Sequence, residues 1–205
     1  MSSSWSYLDA VILPLLVGST VLDVGCGMGR WGALIETNYW EAHLDAPPAV
    51  DGCDAFAPNV DHCRRRGAYR KVWLQQLPSA LSGTWDTVLA CELIEHVPQQ
   101  NVVETLEQLE AVAGRRIIVS TPNSPLYRPG GDTPVGFNDF EAHVSYAPRS
   151  LFRNRGYRLY GAGFGRYNSL LARRAKRLGI RGSLTSLPYR LPALAETIVA
   201  VRDVR

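Results

Sequence analysis

A cluster of acidic and imidazole side chains in the middle of the chain has residue types and spacing suited to chemistry. Glu92, Glu95 and His96 form an ExxEH pattern directly after an apolar run. Residues three and four apart share one face of a helical turn, so the three groups can converge. Two carboxylates and an imidazole suit a divalent cation, and His143 is a fourth donor further along the chain. Either imidazole can also act as a general base.

Two interpretations of this cluster stay open. In the first, all four residues hold a cation such as Mg²⁺ that binds an acceptor hydroxyl, since a metal-bound hydroxyl loses its proton more easily. In the second, Glu95 and His96 only cap or pack the turn after the strand, and His143 binds substrate without a metal. One of the two histidines, His96 or His143, then removes the proton.

A glycine-rich turn precedes this cluster in the chain. Residues 25–29 have the spacing GxGxG, and Asp23 stands two residues before the first glycine. Glycine is needed where a backbone turns sharply and approaches a ligand without an intervening Cβ. Nicotinamide dinucleotide folds prefer GxGxxG, with helix amides aimed at a pyrophosphate that Asp23 would repel. The pattern therefore favours a cationic sulfonium ligand; the alternative is a tight turn without a ligand.

A second carboxylate supports a ligand at this turn. Asp54 ends the second predicted strand, where an acidic side chain can accept both hydroxyls of a ribose. Phe56 follows closely and can lie against an adenine face. With Asp23 and Asp54 both present, a turn without a ligand becomes a poor explanation of the glycines.

Alternating strands and helices must position these groups. The hydrophobic patterns predict helices at residues 7–17, 30–38, 58–66, 101–112 and 150–155. They predict strands at residues 20–24, 49–54, 69–74, 85–91, 116–120, 157–163 and 196–201. This alternation indicates right-handed crossovers and a parallel sheet covered by helices on both faces.

Three blocks of the sequence resemble the class I S-adenosylmethionine-dependent methyltransferases. They are residues 21–30 (VLDVGCGMGR), 85–98 (WDTVLACELIEHVP) and 116–123 (RIIVSTPN), and the likeness extends over residues 18–163. The resemblance implies an α/β fold of the Rossmann-like three-layer type. Its seven-stranded sheet would be mostly parallel with the last strand antiparallel, and the cofactor and substrate would bind at the carboxyl ends of the central strands.

The ExxEH motif is similar to that of two branches of this family. These are the O-methyltransferases of ubiquinone synthesis and the 2′-O-methyltransferase of small-RNA 3′ ends. In those relatives the matching Glu, Glu and His, with a later His in the RNA enzyme, hold a magnesium-like ion. The resemblance therefore implies a metal role for Glu92, Glu95, His96 and His143.

The residues expected to bind S-adenosylmethionine follow the first, second, third and fourth strands. They are Asp23, Gly25, Cys26, Gly27, Gly29, Asp54, Ala55, Phe56, Gln75, Cys91 and Glu92. One position departs from the family pattern. Relatives often place an acidic residue after the third strand to bind the adenine amino group, whereas residues 74–77 here read LQQL. Gln75 or Gln76 takes that place.

Composition predicts one globular domain spanning residues 1–205. The chain is 46% hydrophobic and 20% charged, with a net charge of +3, which excludes a disordered chain. Its four cysteines lack metal-site spacing and are expected to be free thiols in the cytoplasm. No apolar run reaches the length of about 20 residues that spans a bilayer, and no basic leader precedes one, so no membrane insertion is expected.

Three parts of the chain are expected to flank the sheet. Residues 1–17 would form a cap helix over one sheet edge, residues 121–148 a Pro- and Gly-rich substrate or lid loop, and residues 164–193 a basic insertion. Residues 166–190 carry seven basic and no acidic residues, which suits a phosphate-bearing partner or a solvated helix face.

The expected function is O-methylation of a small-molecule hydroxyl. Alternatives are a metal-assisted RNA ribose 2′-O-methyltransferase and a non-catalytic S-adenosylmethionine-binding protein; a nicotinamide oxidoreductase is disfavoured by the glycine spacing. Nucleic acid is not the expected partner, and neither the acceptor nor the oligomeric state follows from the sequence.

Overall fold

A computed structural model describes residues 6–41, 46–164 and 187–204. Within these ranges, seven strands form one sheet in the order β3-β2-β1-β4-β5-β9-β8, and β6 and β7 form a separate hairpin. The strands are β1 Thr20–Val24, β2 Ala49–Asp54, β3 Lys71–Leu74, β4 Trp85–Cys91, β5 Ala113–Pro122, β6 Gly131–Thr133, β7 Gly136–Asn138, β8 Arg158–Phe164 and β9 Ala195–Asp203.

The sheet confirms the predicted fold class. Strands β1 to β5 pair in parallel, whereas β9 pairs antiparallel with both β5 and β8. The helices are α1 Asp9–Ile12, α2 Arg30–Glu41, α3 Ala57–Arg66, α4 Val102–Val112, α5 Arg149–Asn154 and α6 Leu187–Arg190. Helices α2, α3 and α4 each lie in the chain between two parallel strands, as crossover connections require. Among the helices of the described ranges, none is both long and apolar enough to cross a membrane.

Apolar side chains cover both faces of the sheet, as expected of parallel strands. Along β4, Val88 contributes to the core beneath α4, and its neighbour Leu89 contributes to the opposite core beneath α2. Neighbouring residues of a strand point to opposite faces. The continuous apolar run of β4 therefore contributes side chains to the cores on both faces of the sheet.

The N-terminal segment differs from its prediction in length. The predicted helix at 7–17 is a four-residue α1 between two 3₁₀ turns, Ser6–Leu8 and Leu13–Leu15. Pro14 lies in the second turn, where it has no N–H to donate within an α-helix. Leu8 and Ile12 are fully buried in the core on the α2 face of the sheet, which also includes Ala162 of the edge strand β8.

The segment between β5 and α5 contains more regular structure than a loop. We call residues 121–148 the connecting segment. It begins inside β5 and includes the β6-β7 hairpin and a 3₁₀ turn, Asp139–Glu141. Of the predicted basic insertion at 164–193, residues 165–186 lie outside the described residues.

Candidate active site

The glycine turn after β1 is fixed to the end of β2. All three of its predicted glycines have positive φ, from 52° to 82°, a region that residues with a Cβ rarely adopt. The N–H groups of Gly25 and Cys26 both donate to the Cys53 carbonyl, at 2.8 and 2.9 Å. The Gly27 N–H donates to Asp54 Oδ2 at 2.7 Å. The two strand ends thus form one rigid corner.

Asp54 lies where the wall of a cavity meets this corner. Its Oδ1 accepts hydrogen bonds from the Phe56 N–H at 2.8 Å and from Asn59 Nδ2 at 3.2 Å. Burial raises the pKa of Asp54, and these hydrogen bonds oppose that rise. The carboxylate is therefore held rigidly and still lines the cavity.

Asp23 lies behind the turn and outside the cavity wall. It is 1% exposed, and its Oδ2 accepts a hydrogen bond of 2.6 Å from the Tyr69 hydroxyl. Its Oδ1 has no hydrogen-bond partner in the described ranges. Burial raises the pKa of Asp23 to about 7, the Tyr69 hydrogen bond lowers it, and the charge of Asp54 raises it further.

A cavity of about 290 Å³ opens along the carboxyl ends of β1, β2 and β4. Of the predicted cofactor residues, seven line it: Gly25, Gly27, Asp54, Ala55, Gln75, Cys91 and Glu92. Four do not line it: Asp23, Cys26 and Gly29, which lie at or next to the turn, and Phe56, which directly precedes α3. The predicted carboxyl edge and the cavity therefore coincide.

Sequence reasoning missed most of the opposite wall. It is formed by residues after the ExxEH motif and in the connecting segment: Val97, Pro98, Asn138, Asp139, Phe140, Glu141, Ala142 and Val144. Leu93, within the motif, also lines the cavity and packs against Gly25. The length and composition of residues 121–148 predicted a functional loop, but no local pattern predicted which of its side chains would face inward.

Glu92 stands at the end of β4 with a backbone that side-chain-bearing residues rarely adopt. Its φ is 51°, and Ser120 Oγ donates to its Oε1 at 2.9 Å. Burial raises the pKa of Glu92 to about 7, although the Ser120 hydrogen bond lowers it. Such backbone strain persists where a side chain must be aimed at a site, and Glu92 lines the cavity.

Three of the four predicted metal ligands come together beside the cavity. Glu95, His96 and His143 each offer one possible ligand atom, and these three atoms lie within 4.8 Å of one another. Glu92 is not part of this group. The two imidazole rings meet edge to face with centroids 4.7 Å apart. Only His96 reaches the cavity wall; Glu95 and His143 lie behind it.

The lone pairs of this cluster are largely unused. Thr121 Oγ1 donates to Glu95 Oε2 at 2.9 Å, whereas Glu95 Oε1 and His143 Nδ1 have no partner among the described residues. His96 Nδ1 donates to the Ala142 carbonyl at 3.0 Å, which leaves a lone pair on Nε2. Burial lowers the pKa of both histidines to about 4, so both are neutral at pH 7.

Main-chain atoms fasten the connecting segment to the ExxEH turn. The N–H groups of Val144 and Ser145 donate to the Glu95 carbonyl at 2.8 and 3.1 Å. The His143 N–H donates to the Arg128 carbonyl at 2.9 Å. The segment therefore closes the cavity on the side opposite the glycine turn.

Comparisons with known proteins agree with this geometry. The sequence profile of a family described as "Methyltransferase domain" matches residues 6–168. The chain is 32% identical over 115 residues to the ubiquinone biosynthesis O-methyltransferase of Methylococcus capsulatus, and 34% over 95 residues to that of Bordetella avium. These matches cover 54% and 43% of this chain but only 46% and 36% of the relatives, so the chain spans less than half of their length.

Several solved structures share the fold. Magnesium protoporphyrin IX methyltransferase from Synechocystis, with S-adenosylmethionine bound, superposes with a TM-score of 0.56 at 16% identity, covering 96% of this chain and 78% of that one. TehB from Haemophilus influenzae gives 0.60 at 8% identity, covering 99% and 63%. At such identities the likeness shows the fold alone.

Proposed function

This chain belongs to the methyltransferase domain family, and we propose that it transfers the methyl group of S-adenosylmethionine to a hydroxyl of a small molecule. One observation carries the proposal. A single cavity has the glycine turn and Asp54 at one end and the neutral imidazole of His96 at the other. A cofactor bound at the turn would thus face an acceptor beside a proton-accepting nitrogen.

The corner of β1 and β2 suits S-adenosylmethionine. The glycines let the backbone approach the ligand, and Asp54, which lines the cavity, is the proposed acceptor for the ribose hydroxyls. Glu92 and Cys91 line the cavity near the expected methionine portion, and Gln75 lines it where the adenine amino group is expected. The carboxylates of Asp54 and Glu92 favour a ligand that carries a sulfonium and an ammonium charge.

The transfer itself is an in-line displacement. The acceptor oxygen forms a bond to the methyl carbon while the carbon–sulfur bond breaks, and sulfur keeps that electron pair as a neutral thioether. The enzyme must align the two groups and take up the proton of the hydroxyl. His96 Nε2 is the proposed acceptor of that proton, and the His143 ring fixes its orientation from behind.

The cluster behind His96 also fits a divalent cation. Glu95, His96 and His143 offer one carboxylate and two neutral imidazoles, and two of the atoms have no other partner among the described residues. Two nitrogens and one oxygen suit Mn²⁺, Fe²⁺ or Zn²⁺ better than Mg²⁺, which prefers oxygen ligands. A bound cation would make an acceptor hydroxyl more acidic.

The charge of the cavity supports a small acceptor over RNA. Among the described residues that line it, four are acidic (Asp54, Glu92, Asp139 and Glu141) and none is Lys or Arg. Phosphate groups entering this wall would be repelled, whereas RNA binding depends on phosphate neutralisation. Ribose 2′-O-methylation therefore remains the weaker candidate.

Calorimetry tests the cofactor site directly. We expect the wild type to bind S-adenosylmethionine and S-adenosylhomocysteine, and Asp54→Ala to bind both at least about tenfold more weakly, because a charge-assisted hydrogen bond is lost. Asp132→Ala, on the separate β6-β7 hairpin, is the control and should bind as the wild type does. Absence of binding in the wild type would overturn the methyltransferase proposal.

Metal titration distinguishes the two proposed roles of the ExxEH region, which are cation binding by the cluster and proton removal by His96 alone. A heat of Mn²⁺ binding that disappears in Glu95→Gln, with S-adenosylmethionine affinity unchanged, would assign the cluster to a cation. Without such a heat, a panel of hydroxylated acceptors tests His96 alone: His96→Ala should abolish formation of S-adenosylhomocysteine and leave cofactor binding intact.

A further inference from the structure

Tyr69 fills a space that three glycines leave beneath the cofactor turn. A Cβ at Gly32 would lie 2.8 Å from the Tyr69 ring, one at Gly52 would lie 3.0 Å away, and one at Gly29 3.4 Å away. The first two distances are shorter than side-chain carbons tolerate without a shift. Glycine at these positions therefore makes room for the aromatic ring.

The hydroxyl of Tyr69 ends at a buried carboxylate. It donates to Asp23 Oδ2 at 2.6 Å and accepts the Gly32 N–H at 3.3 Å. Asp23 Oδ1 has no hydrogen-bond partner in the described ranges. Tyr69 is thus the observed hydrogen-bond donor to a carboxylate lying directly beneath the Gly25 turn.

We propose that Tyr69 is a positioning residue for the cofactor. Its hydroxyl favours the charged form of Asp23 beneath the turn, and it thereby sets the pH range in which S-adenosylmethionine binds. The inference rests on the proposed function, because it concerns cofactor binding. A negative charge beneath the turn stabilises a ligand with a sulfonium and an ammonium group. A protonated Asp23 gives no such attraction.

The other groups around Asp23 leave this role to Tyr69. Besides Tyr69, four ionisable side chains among the described residues interact electrostatically with Asp23. They are one carboxylate and three thiols: Asp54, Cys26, Cys53 and Cys91. Contact with Cys63 and burial raise the pKa of Cys26, and burial raises those of Cys53 and Cys91, so the thiols stay uncharged. Asp54 repels a second charge. From α2, the guanidinium of Arg30 pairs with Asp9 at 2.7 Å.

Tyr69→Phe removes the donor and keeps the ring that fills the glycine space. The pKa of Asp23 then rises above its wild-type value of about 7, because only burial and Asp54 remain to act on it. A rise of one pKa unit lowers the charged fraction of Asp23 at pH 7 from about one half to about one tenth, so binding of S-adenosylmethionine should be about fivefold weaker there. At pH 9 Asp23 is charged in both proteins, and the affinities should converge to within about twofold.

The experiment is calorimetry of S-adenosylmethionine with the full chain from pH 6 to 9. The proteins are the wild type, Tyr69→Phe, Asp23→Asn and the double variant. We expect the midpoint of binding to move to higher pH in Tyr69→Phe. In the Asp23→Asn background, where only other groups such as Glu92 still titrate, adding Tyr69→Phe should leave the pH profile unchanged.

Two results would overturn the inference. One is a loss of affinity in Tyr69→Phe that is equal at every pH, which indicates a purely structural role. The other is an unchanged midpoint. If the wild type binds no cofactor at any pH, the proposed function fails, and ¹³C NMR of the aspartate carboxyls still measures whether Tyr69→Phe raises the titration midpoint of Asp23. Should Asp23→Asn not fold, the single variant Tyr69→Phe decides both tests.

Discussion

Asp51 is a buried carboxylate in β2 whose negative charge is stabilised by neighbouring hydrogen-bond donors. Arg70 Nε and Nη2 donate to its two oxygens at 2.9 and 2.6 Å, and Trp85 Nε1 donates at 2.9 Å. Burial favours the neutral acid, but these donors outweigh it and hold the pKa of Asp51 below its ordinary value. A group with a depressed folded pKa stabilises the native state above its unfolded pKa.

We expect Asp51→Asn to lower the free energy of unfolding by about 1–3 kcal/mol at pH 7, because hydrogen bonds to a charged group are lost. The loss should shrink as pH falls through the depressed folded pKa, where the wild type loses the same contribution. Urea denaturation at several pH values measures it. Asp61→Asn, which breaks the exposed Asp61–Arg64 pair, is the control and should stay within about 0.5 kcal/mol of the wild type. An equal loss for Asp51→Asn at all pH values would contradict the linkage.

Several of the residues that the sequence predicted stand at the end of a recognisable apolar run. Asp54 and the ExxEH motif follow strands, so their arrival at one sheet edge could be anticipated. The partners of the site carboxylates lie elsewhere in the chain: Ser120 and Thr121 on β5 bind Glu92 and Glu95, and Tyr69, just before β3, binds Asp23. Nothing local connects these partners to the carboxylates they bind. The sequence therefore predicted the chemistry of the site better than its supporting contacts.

At the scale of elements, two glycines with positive φ stand at element ends, but their surroundings differ in how much space they leave for a side chain. Gly67 ends α3 with φ of 70°, and a Cβ there would meet nothing within 4 Å. Gly18, with φ of 79°, precedes β1, and a Cβ there would overlap the Asp86 side chain. Asp86 accepts the N–H groups of Ser19 and Thr20 at 2.8 and 3.1 Å.

This contrast predicts different costs for one chemical change. Gly67→Ala should cost about 1 kcal/mol, the strain of a left-handed residue alone. Gly18→Ala should cost clearly more, since the same strain is added to a displacement of Asp86 from the start of β1. Urea midpoints of the two variants make the comparison, and equal losses would show that Asp86 moves aside freely.

Elements were predicted well where apolar runs had sharp ends. Strands at 20–24, 49–54 and 85–91 match β1, β2 and β4. Ser19 and Gly25 bound β1, Pro48 precedes β2, and Thr84 and Glu92 bound β4. The helix predicted at 7–17 failed at Pro14, and β5 extends beyond residues 116–120 because pairing with β9 continues to Pro122. Pairing with a distant strand has no local signature.

At the scale of the whole molecule, all four cysteines are free and buried. We expect the native protein to react negligibly with Ellman's reagent and the unfolded protein to show four thiols. S-adenosylhomocysteine at 100 times its dissociation constant should slow the labelling about a hundredfold, which equals about 2.7 kcal/mol of linked stability. Rapid labelling of one thiol in the native protein would reveal local opening at that cysteine.

The strand order illustrates what composition and periodicity leave undetermined. Alternation of strands and helices indicates a parallel sheet, but the antiparallel direction of the last strand, β9, was expected only from the family resemblance. Its position between β5 and β8 was not predicted. Likewise, part of the cavity wall is formed by the connecting segment. Which of its side chains face the cavity depends on the three-dimensional course of its backbone and not on any periodic pattern in the sequence.

The attachment of the connecting segment has a consequence for how such a protein can diversify. Apart from one hydrogen bond from Ser145 Oγ to the Ile94 carbonyl, the segment is held to the ExxEH turn through main-chain atoms of residues 142, 144 and 145. Every residue type except proline can supply those main-chain atoms in full. Side chains such as Asp139, Phe140 and Val144 are thereby released from holding the wall in place. We therefore expect acceptor preference to be exchangeable at these positions, by selection or by design, while His96, the proposed proton acceptor, stays in place.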